Sequence, residues 1–150
     1  MAIDRRTEMS ADEMDTFLGT HETGVLSLAH ADEPYSIPIS YGYDPSVRQF
    51  YTRLVSTPES EKRHFLEADP NARLVVYSEN EDTYRSVIAT GTLVRIDPDE
   101  LTAEDIQQYG SARRPLFEIW PEGKEELDID LYRLDPERVT GRLIAVDREG

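Results

Sequence analysis

The chain has 150 residues, with 31 Asp and Glu against 16 Lys and Arg, a formal net charge of −15. That length suits one domain with a real core, spanning residues 1–150, and apolar residues in short periodic runs exclude an acidic disordered tail. So acidic a surface repels nucleic-acid phosphates and anionic membranes, and the absence of cysteine excludes disulfides, thiolate metal sites and cysteine nucleophiles. No apolar stretch approaches the roughly 18 residues of a spanning helix. Met1–Arg6 carries no secretory apolar region, so a cytoplasmic location is expected. The cations divide into 14 Arg and two Lys, Lys62 and Lys124. With acids dispersed along the chain, this bias points to a halophilic protein whose self-repulsion is screened by molar salt.

Ser10 and Glu13 form a capping box, and Met14, Phe17 and Leu18 line one face of a helix ending at Gly19. Gly24–Ala29 is a short apolar run, followed by a turn over Ala31–Pro34. Tyr35, Ile37, Ile39, Tyr41 and Tyr43 then alternate with Ser36, Pro38, Ser40 and Gly42, a strand in which Pro38 demands an edge or a bulge. Asp44-Pro45-Ser46 turns the chain into a third strand, Val47 to Val55. Thr57 is placed to cap a second helix, with Pro58 and Glu59 in its first turn. Ala72–Tyr77 and Tyr84–Ile96 are strands joined by the acidic turn Glu79–Asp82. A third helix starts near Thr102, and a Pro-bounded segment carries Trp120. Leu127–Leu134 is a strand, and Gly141–Val146 is a candidate for one more. About six strands in hairpin order with short helical inserts predict a mainly β fold, a small antiparallel barrel.

Tyr35, Tyr41 and Tyr43 form a stripe at strand spacing, and Tyr35 is expected in the core. His21, His30 and His64 lack zinc-site spacing and are read as structural or surface groups. Asp97 and Asp99 lack the Gly and closing Glu of a calcium loop, and Glu125, Glu126, Asp128 and Asp130 read as a solvated strand edge. No Walker, Gly-x-Ser-x-Gly or dinucleotide fingerprint occurs, and no catalytic residue is identified.

Five segments form an ordered series: Pro34-Tyr35-Ser36-Ile37-Pro38-Ile39-Ser40-Tyr41, Phe50-Tyr51-Thr52, Ser60-Glu61-Lys62, Asp69-Pro70-Asn71-Ala72-Arg73-Leu74-Val75 and Ala89-Thr90-Gly91-Thr92. The series resembles the pyridoxamine 5′-phosphate oxidase-like family of FMN-binding split barrels. The resemblance covers residues 15 to 97. It implies a split barrel that binds FMN between the two subunits of a homodimer, in a flavin-dependent oxidoreductase-like protein. Pro38, Ile39 and Ser40 would contact the isoalloxazine ring through their backbone, Tyr51 and Thr52 would line the ribityl and phosphate end, and Lys62 would hold the phosphate. Arg53 and Arg63 are the candidates for a second phosphate cation, since Glu61 stands where the family often has a base. Alternation along the strand puts Arg53 on the opposite face from Thr52. Arg85 or Ser86 would meet the polar edge of the ring. Trp120 is implied either as a cap on the flavin of the partner subunit or as a buried dimer contact.

Lys62 is the most informative position, because Arg has displaced nearly all other lysines. A solvated lysine paired with Glu59 or Glu67 is the plain alternative to a phosphate ligand. A non-catalytic flavin-binding or sensing module, or a relative carrying deazaflavin or haem on the same barrel, is the alternative at the level of function. The carboxy-terminal Arg-Leu-x-Pro-like ending of a true pyridoxamine 5′-phosphate oxidase is not matched, because Arg133-Leu134-Asp135-Pro136 is followed by more chain.

Overall fold

The computed structural model describes residues 3–56, 60–68, 70–100, 102–103 and 128–147. Among these residues eight strands form one antiparallel sheet: β1 (Ile3–Glu8), β2 (Thr23–His30), β3 (Glu33–Ser40), β4 (Gly42–Asp44), β5 (Gln49–Ser56), β6 (Asn71–Asn80), β7 (Thr83–Ile96) and β8 (Asp128–Asp147). Helices α1 (Ala11–Thr20) and α2 (Glu61–Ala68) lie between strands, and a short 3₁₀ turn covers Pro98–Glu100.

The hydrogen-bonded path runs β3-β2-β6-β7-β8-β5-β4, with β1 added along β8. Its two ends, β3 and β4, are separated in the chain by Tyr41 alone. The sheet must therefore curl until those ends meet, although no ladder closes it. This is the split barrel. Pro38 lies on the edge strand β3, where its missing N–H costs no ladder bond on the open side.

Apolar residues at every second strand position explain the core. Leu26 and Leu28 from β2, Leu74 and Val76 from β6, Val87 and Ala89 from β7, and Phe50 and Leu54 from β5 all turn inward. Phe17 and Leu18 from α1 and Phe65 from α2 join them. Each such side chain contributes about 1.5–3 kcal/mol of burial. Tyr41 is 2% exposed, and its hydroxyl donates to the Leu18 carbonyl at 2.8 Å, which ties α1 to the point where the sheet folds over.

The capping box of α1 forms as expected: the Ser10 N–H donates to Glu13 Oε1 at 3.1 Å and the Glu13 N–H to Ser10 Oγ at 3.2 Å. Elsewhere the structure corrects the reading. The Tyr35–Tyr43 alternation is split at Tyr41 into two strands, because the chain turns there from one end of the sheet to the other. The next strand begins at Gln49, not Val47, since Arg48 takes a positive φ of 52° in the intervening turn. Helix α2 is capped by Ser60, whose Oγ accepts from the Arg63 N–H at 3.2 Å; Thr57 and Pro58 lie outside the described residues. The two carboxy-terminal segments are one strand, β8, long enough to pair with β7, β5 and β1. Strand β1 was not anticipated, because Ile3-Asp4-Arg5-Arg6-Thr7-Glu8 has no apolar alternation and is held by its ladder to β8. The helix expected from Thr102 and Trp120 fall outside the described residues from 104 onward.

Candidate functional site

Helix α2 packs its inner face on the β2–β3 hairpin. Tyr35 stacks on Phe65 with ring centroids 5.0 Å apart, and His30 meets His64 edge-on at 5.6 Å. Tyr35 thus packs against the core as expected, and burial followed by the Glu61 charge raises its phenol pKa. Lys62 lies three residues before Phe65 on the same helix face, in the first turn. It is 5% exposed and so not solvated; Glu67 faces Arg63 at 3.7 Å, and Glu59 lies outside the described residues. Burial lowers the Lys62 ammonium to about 8. The cost of desolvating this cation is offset wherever an anion reaches it, and the positive end of the α2 dipole favours the same ligand.

Ser40 and Thr52 are brought into direct contact. The Thr52 hydroxyl donates to the Ser40 carbonyl at 2.7 Å, joining β3 to β5 where no ladder does. Both residues are buried, and Ser40 Oγ has no hydrogen-bond partner, which marks a polar atom awaiting one. Thr52 sits between the core residues Phe50 and Leu54, so Tyr51 and Arg53 face the other side of β5. There the Tyr51 hydroxyl donates to Gln49 Oε1 at 3.2 Å, and Arg53 is half-buried opposite Leu131.

Arg85 and Ser86 point to opposite faces. Arg85 lines a cavity of about 660 Å³ under α1, with Met9, Asp12, Phe17, His21 and Ser78. Ser86 faces outward between Tyr77 on β6 and Arg142 on β8. On that outer face a shallow groove of about 440 Å³ is lined by Gly24, Val25, Pro38, Tyr77 and Glu79. Of the predicted residues this groove takes Pro38. Tyr77, 67% exposed, was not singled out from the sequence; its signal was the outward alternation Arg73, Val75, Tyr77 on β6. Arg63 lines a third cavity, of about 320 Å³, with Leu66, Leu93, Arg95, Asp130 and Tyr132. Trp120 lies outside the described residues. Among the described residues no group of His, Asp and Glu is arranged to hold a metal ion, and no helix is long and apolar enough to cross a membrane.

The sequence model of the pyridoxamine 5′-phosphate oxidase family matches residues 10–143. The chain belongs to this family. Solved structures with the same fold include a FAD-binding protein from Mesorhizobium loti, at TM-score 0.69 and 23% identity, covering 94% of this chain and 98% of that one. The FAD binding protein from Mycobacterium smegmatis aligns at TM-score 0.64 and 18% identity, covering 93% and 98%. A candidate pyridoxamine 5′-phosphate oxidase from Corynebacterium glutamicum aligns at TM-score 0.69 and 16% identity, covering 96% of each chain. A comparison with curated proteins finds no match. The family places the split barrel on firmer ground than its alternating strands alone, and its match extends beyond the stretch that carried the resemblance.

Proposed function

We propose that this protein binds FMN in a groove completed by a second copy of the chain, as a flavin-dependent oxidoreductase-like member of its family. The observation that carries the reading is Lys62, one of two lysines, buried in the first turn of α2 with its ammonium lowered to about 8. Lys62 takes the phosphate, with Arg53 or Arg63 as the second cation. Ser40 supports the ring site through its buried, unpartnered hydroxyl, and Pro38 and Ile39 supply the neighbouring backbone. Ser86 rather than Arg85 is the choice for the ring's polar edge, because it shares the outer face with Pro38 and Tyr77. The second copy is supported by an apolar row in exact register across the outer face, Pro38, Val25, Val75 and Ile88, flanked by exposed Tyr77. When bound, the flavin supplies the redox chemistry, and the residues named here bind and orient it.

A second reading, FAD in place of FMN, is favoured by the names of the two relatives described as FAD-binding. Purified protein is expected to be yellow, and chromatography of the heat-released chromophore tells FMN from FAD. Lys62→Ala should weaken FMN binding at least tenfold, about 1.4 kcal/mol. NAD(P)H oxidation by the loaded protein separates an enzyme from a non-catalytic flavin module. A colourless protein that takes up neither flavin overturns the proposal.

A further inference from the structure

The outer face of the sheet carries a second feature, one residue row away from the apolar row. Ser36, Ser27, Arg73, Thr90 and Arg138 stand in register across β3, β2, β6, β7 and β8. Arg73 lies between the buried Ala72 and Leu74, Thr90 follows the buried Ala89, and Arg138 precedes Val139, which packs against the core. All three side chains therefore leave the sheet on the same, outer side.

Thr90 stands between two arginines whose Cα atoms, two strand spacings apart, are about 10 Å from each other. Both arginines are exposed, and among the described residues neither forms an ion pair or a side-chain hydrogen bond. The hydroxyl of Thr90 is buried and has no hydrogen-bond partner. Of the nearest acids along β8, Asp135 is held by Arg133 at 2.6 Å and Glu137 is exposed. In a chain of net charge −15, two guanidinium groups without carboxylate partners around an unpaired hydroxyl form a local spot of positive potential. Two planar forks and one hydroxyl donor suit a tetrahedral dianion better than a carboxylate, because they offer donors to three or more oxygens.

We propose that Arg73, Thr90 and Arg138 form an anion site for a phosphate group on the outer face of the sheet. The site is built from strands β6, β7 and β8 and uses none of the residues assigned to the flavin. Its position about 7 Å from the apolar row puts it beside the proposed subunit contact. Two sources share this chemistry, the free anion and the phosphate of a nucleotide.

Isothermal titration of the full chain with inorganic phosphate and, separately, with AMP tests the site, in a fixed concentration of KCl. Lys62→Ala protein should still bind phosphate with one site. In that background Arg73→Gln and Arg138→Gln should each weaken phosphate binding at least tenfold, and Thr90→Val should weaken it several-fold with an unchanged melting temperature. Arg73→Lys should retain more affinity than Arg73→Gln, which separates a charge role from lost packing. AMP bound more tightly than phosphate identifies a nucleotide as the source; equal or weaker AMP binding identifies the free anion. Phosphate binding that survives both glutamine substitutions, that disappears with Lys62→Ala alone, or that is absent from the unmodified protein overturns the site. A failure of flavin binding leaves this titration unaffected, so the two proposals fall separately.

Discussion

The Thr52 hydroxyl donates to the Ser40 carbonyl at 2.7 Å, and this one side chain spans the seam between β3 and β5 that the backbone ladders leave open. Because both residues are buried, the bond cannot be replaced by water without opening the seam. Thr52→Val removes the donor at nearly constant volume and leaves the Ser40 carbonyl without it. The expected loss is about 1–3 kcal/mol of stability, measured by urea unfolding. Thr52→Ser should recover most of it; equal stability of the valine and threonine proteins would show that the seam is held by packing alone.

Lys62 links stability to pH with a definite sign. Its ammonium is lowered by burial to about 8 from an ordinary 10.5. Between those values the unfolded chain still holds a proton that the folded chain has released, so the flavin-free protein becomes more stable as pH rises through that window. Lys62→Met should flatten the rise. Affinity for a phosphate ligand should run the opposite way and fall above pH of about 8, because it needs the charged form. Unfolding curves across the window check the first statement and FMN titrations the second; a slope equal in the wild type and Lys62→Met excludes Lys62 as its source.

Gly91 marks the bulge where β7 shifts register against β8. A side chain there would meet Pro136 Cα at 2.6 Å and the Asp135 carbonyl oxygen, both backbone atoms that cannot swing away. Gly91→Ala should destabilise by about 1–3 kcal/mol and lower the melting temperature. Gly19, with nothing near its missing side chain, is the control: Gly19→Ala should be neutral or stabilising. Equal melting temperatures for the two variants would mean that β8 yields at the bulge.

The charge of −15 predicts salt dependence. In molar KCl the Debye length falls to roughly 3 Å, and repulsion between dispersed carboxylates is largely screened. The melting temperature should rise steeply from low salt to molar KCl, with the proposed dimer and its flavin lost together as salt is removed. Calorimetry and sedimentation velocity over a KCl series measure both. A melting temperature indifferent to salt would exclude the halophilic reading.

Local signals in the sequence were sufficient for the elements whose shape is set by short-range chemistry. The α1 capping box and the edge-or-bulge placement of Pro38 follow from neighbouring residues, because caps and pleats act within a few positions. The ordered segments from Pro34 to Thr92 were also enough to indicate the family. Tertiary structure decided what depends on distant partners. Strand β1 exists because β8 is there to pair with it, and Tyr41 ends one strand because the sheet must fold over at that residue. Whether Lys62 is solvated or buried stayed open in the sequence, and packing of Phe65 against Tyr35 on the same helix face decided it. The choice between Arg85 and Ser86 was open in the sequence, since alternation separates their faces without saying which one is inside. Packing of Val87 and Ala89 into the core puts Arg85 on the inner side of β7 and Ser86 on the outer one, because a pleated strand can bury only one of its two faces against a given layer.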